Sequence, residues 1–312
     1  MAYLIKRVIA LIPVLVVVGA VAFMIVRLIP GNPAAVMLGP EATPEDINRL
    51  TAQLGLDQPL PVQFARWLWN TARGDFGESI FVKRPVPEVI VARIEPSLLL
   101  ATLSQLFSLL IAIPAGIIAA LRRGTIIDRL LMGLSVAGLS IPSFWLGLIF
   151  ILLFSVKLKW LPVAGYVSLA EDWRGTLRYL ALPASTLALI NAALLSRMTR
   201  AAVLDVLRQD YVRTARAKGL PERVVILRHV LRAALVPIIT VIGISFGGLF
   251  SGAIVVESIF RIPGMGQLVW GAVFQRDYPI IQGVLVFIAL AYVIINLLVD
   301  LAYVWADPRI RF

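Results

Sequence analysis

The chain has 312 residues, 60% of them hydrophobic and 15% charged, and carries a net charge of +11. Soluble domains average about 45–50% apolar and about 25% charged residues, so a wholly water-soluble protein is excluded. No cysteine is present, which removes disulfides, zinc–thiolate sites and cysteine nucleophiles; the positive charge fits cytoplasmic loops, which gather Lys and Arg, better than a nucleic-acid surface.

A membrane-spanning helix needs about 20 mostly apolar residues. Six stretches meet or approach this: 8–29, 98–121, 131–156, 179–195, 235–256 and 280–304. The first follows Lys6 and Arg7, as a secretory signal would. Its apolar run of 19 residues exceeds the usual signal core of about 7–15, and no small-residue cleavage site follows closely. A spanning helix is the better reading. The fourth stretch is the weakest, being short and holding Pro183 and Asn191.

Between the first two stretches lies a long polar segment. Thr43-Pro44-Glu45-Asp46 combines a cap residue, a first-turn proline and first-turn acids, which marks a helix start. Gly55 ends that helix. A second helix is predicted over 61–73, stopped by Gly74, with Phe64, Trp67 and Leu68 on one face. The segment is either a cap on the outer membrane face or part of a landing surface for an external partner.

Basic residues mark the sides of the membrane. They precede the first stretch, sit between the second and third (Arg122, Arg123, Arg129), crowd 197–232 and close the chain at Arg309 and Arg311. Nine Lys or Arg stand against three acids in 197–232, whereas 31–95 holds six bases and eight acids. The alternation predicts six spans with both termini cytoplasmic. The expected divisions are a first spanning helix (1–30), an extracytoplasmic helical segment (31–95) and a five-helix core (96–312) containing the loop 197–232.

Within that loop, Val203, Leu207, Tyr211 and Ala215 recur every four residues and are expected on one helical face. Gly219 can close the helix in a left-handed conformation, and Pro221 can open the next. A helix over 210–219 would be roughly 15 Å long. It could lie along a partner's groove or on anionic headgroups.

The run Asp210-Tyr211-Val212-Arg213-Thr214-Ala215-Arg216-Ala217-Lys218-Gly219-Leu220 resembles the EAA loop of ABC-importer permeases, in the version of the dipeptide, oligopeptide, nickel and glutathione type. Arg213-Thr214-Ala215 stands where the general motif has Glu-Ala-Ala, so no contact belongs to a glutamate here. Further runs resemble the family in order and spacing: Pro30-Gly31-Asn32-Pro33-Ala34, Gly55-Leu56-Asp57-Gln58-Pro59-Leu60, Gly74-Asp75-Phe76-Gly77-Glu78-Ser79, Ile259-Phe260-Arg261-Ile262-Pro263-Gly264-Met265-Gly266, Arg276-Asp277-Tyr278-Pro279 and Asp307-Pro308-Arg309-Ile310-Arg311. The long outer segment resembles the B-type member of the permease pair.

The resemblance implies an all-α, type I importer permease in the inner membrane of the cell. It implies a second homologous permease, two ATPase subunits that carry ATP and Mg, and an external substrate-binding protein. Tyr211, Arg213, Thr214, Ala215, Arg216, Ala217, Lys218 and Gly219 would couple this chain to an ATPase, with Ala215 on the contact face and Gly219 setting the turn. Short peptides are the expected substrate; nickel chelates, glutathione and oligosaccharides are alternatives.

None of the five lysines is followed by Ser or Thr, so a Walker A loop is absent and no nucleotide cofactor is expected on this chain. Polar residues inside the spans are pathway candidates: Ser104, Gln105, Ser108, Asn191 and Asn296. They serve equally as hydrogen-bonding glue between helices. Arg27 is expected to snorkel, and Glu257 and Asp300 to sit near membrane interfaces. His229, the only histidine, lies in a basic loop without neighbouring ligands, and no metal site is expected. An ion-gradient transporter is the rival class, but no inverted repeat is visible. An intramembrane hydrolase lacks a nucleophile–base pair.

Overall fold

The structure is a computed structural model and describes residues 2–28, 33–39, 41–53 and 55–306. The runs 30–32 and 307–311, quoted for the resemblance, lie outside these. Among the described residues the protein is helical, and extended pairing is limited to an isolated bridge between Glu78 and Pro85. The helices are α1 (Ala2–Leu28), α2 (Pro33–Leu38), α3 (Pro44–Gln53), α4 (Leu60–Ala72), α5 (Val86–Leu121), α6 (Ile126–Ser140), α7 (Ser143–Phe150), α8 (Trp173–Leu207), α9 (Asp210–Ala217), α10 (Glu222–Val224), α11 (Leu231–Ile259), α12 (Met265–Gln275) and α13 (Tyr278–Ala306). Seven residues of π-helix, Ile151–Lys157, continue α7, and Val225–Val230 joins α10 to α11 in the same way.

The chain packs as two compact units: residues 1–95 with 267–293, and residues 96–266 with 294–312. In the first unit, α3 starts as predicted. The Thr43 hydroxyl accepts from Asp46 N at 3.2 Å and donates to the Asp46 carboxylate at 2.6 Å, a local cap that holds the first turn. Phe64 and Trp67 of α4 pack on Phe23 of α1, with ring centroids 5.3 and 5.9 Å away. Arg27 is half-buried and reaches the polar segment. Its Nε donates to Gln63 Oε1 at 3.1 Å, and its guanidinium lies 3.9 Å over the Phe23 ring.

The same unit contains a carboxylate clasp. Buried Asp277 precedes α13 and accepts from the Ser79 hydroxyl at 2.5 Å, Phe81 N at 3.4 Å and Ile280 N at 3.4 Å. It caps the helix and ties down the tight loop after Glu78. Charge-assisted hydrogen bonds contribute about 1.5–3 kcal/mol each when buried. Asp277→Ala is therefore expected to lower the thermal unfolding midpoint and to speed proteolysis between residues 78 and 85. Cleavage there at the wild-type rate would remove the clasp from the account.

In the second unit α8 is central. Of its apolar window, 61% is buried inside the protein, against 22–33% for the other three long apolar helices. The expected span 179–195 thus extends at both ends, to Trp173 and Leu207. Its low hydropathy follows from position: an interior helix faces other helices rather than lipid and can carry Thr, Ser and Asn that hydrogen-bond to them. One such contact joins the hydroxyls of Ser135 (α6) and Ser196 (α8) at 2.8 Å.

The expected single span over 131–156 is corrected. It is two helices, Ile126–Ser140 and Ser143–Lys157, bent by 101°. Pro142 lacks an N–H and pushes the preceding residue out of the helical region; Ile141 is extended, at φ −83° and ψ 122°. Helix α5 starts twelve residues before the predicted 98. By length and composition four described helices could cross a membrane, or five if the bent pair counts as one, and α1 adds a shorter apolar stretch, Pro13–Ile25.

Candidate functional site

Two constellations in the second unit bring the predicted residues together. The first is the hairpin after α8. That helix ends at Leu207, and Arg208 and Gln209 turn the chain before α9 begins. At the far end of α9, Gly219 N donates to Arg216 O at 2.9 Å and Leu220 N to Ala215 O at 3.4 Å, a glycine-terminated helix stop. Gly219 has φ +78°, and an added Cβ would meet nothing within 4 Å. The turn needs glycine for its backbone conformation, not for space. Arg216 then reaches across it to Glu222, at 3.1 Å through Nε and 2.6 Å through Nη2. This hydrogen bond raises the already high pKa of Arg216. The pair is exposed, so it steers geometry more than it stabilises.

The hairpin has an inner and an outer face. Val212 and Ala215 are buried with Ala120, Val203, Val225, Val230, Ala234 and Ile238. Tyr211, Arg213, Thr214, Arg216, Ala217, Lys218 and Gly219 are all exposed. Partial burial pushes the pKa of the Tyr211 hydroxyl up from its ordinary value. The expectation that Ala215 lies on an outward contact face is corrected: it faces the protein's own core. The outward placement followed the family resemblance; the four-residue spacing does group Ala215 with buried Val203, while Tyr211 of the same series is exposed because the turn at Arg208–Gln209 shifts the phase. The pair Val212 and Ala215, three apart, was the signal for the inner face.

The second constellation is polar and buried. Gln105 Oε1 of α5 accepts from Asn191 Nδ2 of α8 at 3.1 Å and from the Ser245 hydroxyl of α11 at 3.1 Å. Three helices thus share one amide. Ser245 was missed in the sequence, where a lone serine in an apolar run has no distinguishing neighbour. Ser104 turns back to its own helix, donating to Leu100 O at 2.6 Å. Ser108 Oγ and Gln105 Nε2 are buried without a hydrogen-bond partner. Asn296 is exposed on α13, away from this cluster's bonds.

Residues 112–312 match the family described as the inner membrane component of binding-protein-dependent transport systems, and residues 1–101 match the N-terminal part of such membrane components. The chain belongs to this family of ABC-importer permeases. The permease is 44% identical to a probable peptide ABC transporter permease of Sinorhizobium fredii over 310 residues, covering 99% of both chains. It is 43% identical to a putative peptide transport system permease of Brucella abortus, covering 100% of this chain and 99% of that one. It is also 44% identical to the glutathione transport system permease of Escherichia coli K12, again over 99% of both. Among solved structures, an inward-facing methionine ABC transporter matches 70% of the permease and 96% of its own chain, with a TM-score of 0.59 at 18% identity. That likeness gives the type I importer permease fold. The permease is accordingly a multi-pass inner-membrane subunit of an ABC importer.

Glu257 and Asp300 of the permease are both buried. Glu257 accepts from the Ser97 hydroxyl at 2.6 Å, and Ser97 in turn accepts from Met265 N at 2.7 Å. The carboxylate holds the family-like run 259–266 against α5. Among the described residues no group of three or more His, Asp or Glu could hold a metal ion.

Proposed function

We propose that this permease forms half of the pathway of an importer for short peptides, working beside a second homologous permease, two ATPase subunits and an external binding protein. It would span the membrane six times with both termini cytoplasmic. ATP hydrolysis would belong to the partner subunits, and α9 with the Gly219 turn would be the docking element. The observation that carries this reading is the two-faced hairpin: an apolar inner side fixes α9 to the permease core, leaving seven of the eight expected coupling residues in solvent. Such an arrangement lets a partner push on a short lever that is anchored from behind. The peptide assignment is supported by the relatives, two of them peptide permeases by name and one a glutathione permease, glutathione being itself a tripeptide. The Gln105–Asn191–Ser245 cluster is the best candidate for a polar contact along the path.

The docking reading is tested at Gly219. A β-branched residue strains a left-handed backbone by about 1–2 kcal/mol, whereas asparagine tolerates it. Gly219→Val is expected to abolish peptide-stimulated ATP hydrolysis and uptake in the reconstituted complex, with normal membrane insertion. Gly219→Asn is expected to retain most of both. Full coupling in Gly219→Val would remove the hairpin from the coupling path. Stimulation by candidate peptides on the cognate binding protein tests the substrate; a response only to nickel chelates or oligosaccharides would replace it.

A further inference from the structure

The first unit contains a cleft of about 450 Å³, and none of its lining residues belongs to the hairpin or to the buried amide cluster. Sites for small molecules commonly measure about 300–1,000 Å³ and combine apolar walls with a few placed polar groups. Phe23 of α1 and Trp67 of α4 line this cleft, and so do Arg27, Arg66, Glu78 and Gln282. Two cations, a carboxylate and a primary amide thus share one aromatic-walled space.

The charged groups are not paired with one another. Among the described residues neither Arg27 nor Arg66 lies within ion-pair distance of a carboxylate, and Glu78 lies within that distance of no cation. Arg66 and Glu78 are exposed. Arg27 is steadied by Gln63 Oε1 and by the Phe23 ring, which occupy only part of its donor fork.

Gln282, near the start of α13, is a separate observation. It is only 9% exposed, and among the described residues its side-chain amide has no hydrogen-bond partner. Buried polar groups are nearly always satisfied. A primary amide offers both donors and an acceptor, so what it lacks is a group that can accept and donate in turn, as a peptide unit does.

The combination selects the ligand. A lone anion would meet the guanidiniums but be repelled by Glu78, and a lone cation fails on the two arginines. Neither uses the aromatic wall. We propose that the cleft binds a short peptide with both ends free: Arg66 and Arg27 take the terminal carboxylate, Glu78 the terminal ammonium and Gln282 a peptide unit between them, while Phe23 and Trp67 cover an apolar side chain. Arginine's planar fork matches a carboxylate with two parallel hydrogen bonds. The ligand class rests on the peptide reading of the importer; what is added is a site on this chain that holds peptide without the binding protein.

The test uses the permease in its transporter complex, purified in detergent, without binding protein or ATP. The probe is the dipeptide Ala-Phe, and its C-amidated and N-acetylated forms each remove one terminal charge. Binding is read by equilibrium dialysis of the labelled probes. Wild type is expected to bind Ala-Phe saturably and each blocked form about tenfold more weakly, the loss of one charge-assisted contact. Arg66→Gln, a change at an exposed side chain, is expected to bind Ala-Phe about tenfold more weakly and to lose discrimination against the amidated form only. Glu78→Gln is expected to lose discrimination against the acetylated form only. Wild-type affinity in both variants would overturn the proposal, because the peptide would then sit elsewhere. So would equal binding of the three probes by wild type, or no saturable binding. Uptake by the complete complex with its binding protein is measured alongside. Peptide uptake without binding to the cleft would remove the site and leave the substrate assignment standing; binding to the cleft without peptide uptake would do the opposite.

Discussion

Ala215→Arg is expected to disrupt the permease's own hairpin, not merely to deprive it of a partner. The methyl group sits at 6% exposure against Val203, Val212 and Val225, each fully buried. The cluster around it is apolar, and an uncompensated buried charge costs about 3–5 kcal/mol. The side chain must force α9 away from the π-helical segment 225–230 or lose its water. Protease accessibility between residues 208 and 224 of the isolated permease should rise sharply. Ala217→Arg is the matched control, two residues along on the exposed face. It should leave protease resistance unchanged and act only on ATPase binding. A hairpin as resistant in Ala215→Arg as in wild type would show that α9 does not rest on the core.

Arg200→Ala carries the second large effect. Arg200 of α8 grips Asp128 of α6 with both oxygens engaged, Nε to Oδ1 at 2.7 Å and Nη2 to Oδ2 at 2.8 Å. The Asp128 side chain is 7% exposed and that of Arg200 25%. A paired geometry of this kind repays desolvation only while both partners are present. Removing the arginine leaves a buried carboxylate with a single remaining donor, Gly124 N at 2.9 Å. The expected loss is about 3 kcal/mol, near the lower end for a broken buried pair because Arg200 is partly hydrated. Combining Arg200→Ala with Asp128→Ala should restore most of the stability, since no charge is then stranded. A double variant no more stable than Arg200→Ala alone would mean that the pair is not an isolated unit. The unfolding midpoint in detergent reads both comparisons.

The two residues sit 72 positions apart, and nothing in their local sequence pairs them. The same holds for Ser79 with Asp277, 198 positions apart, and for Gln105 with Asn191 and Ser245. Gln105 and Asn191 were visible as polar residues inside apolar stretches. The pairings were not visible, because a side chain's partner is chosen by how helices pack and not by spacing along one helix. Where the signal was local it was legible. Thr43 with Asp46 capped α3, Gly55 and Gly74 adopted positive φ after their helices, and Gly219 closed α9 as its spacing before Pro221 predicted.

Misreadings arose where a local break was read through or a tertiary contact was invisible. The third apolar stretch was long enough to cross in one piece, yet Pro142 splits it and the halves diverge by 101°. Helix α8 looked marginal because hydropathy reports what faces lipid, and its sides face protein. Ala215 looked outward because the family resemblance put it on the contact face, although its spacing from Val203 grouped it with a residue that is buried.

By itself, then, the sequence determined what depends on neighbours in the chain: apolar length, helix starts and stops, the glycine turn, and a family pattern spread over most of the chain. These follow from backbone stereochemistry and from the cost of burying peptide groups in lipid, which act residue by residue. Only the tertiary structure decided which face of α9 is free, which carboxylate holds which arginine, and where a buried hydroxyl is left wanting an acceptor. Those outcomes depend on side chains far apart in sequence competing for the same interior space, and that competition is settled by packing alone.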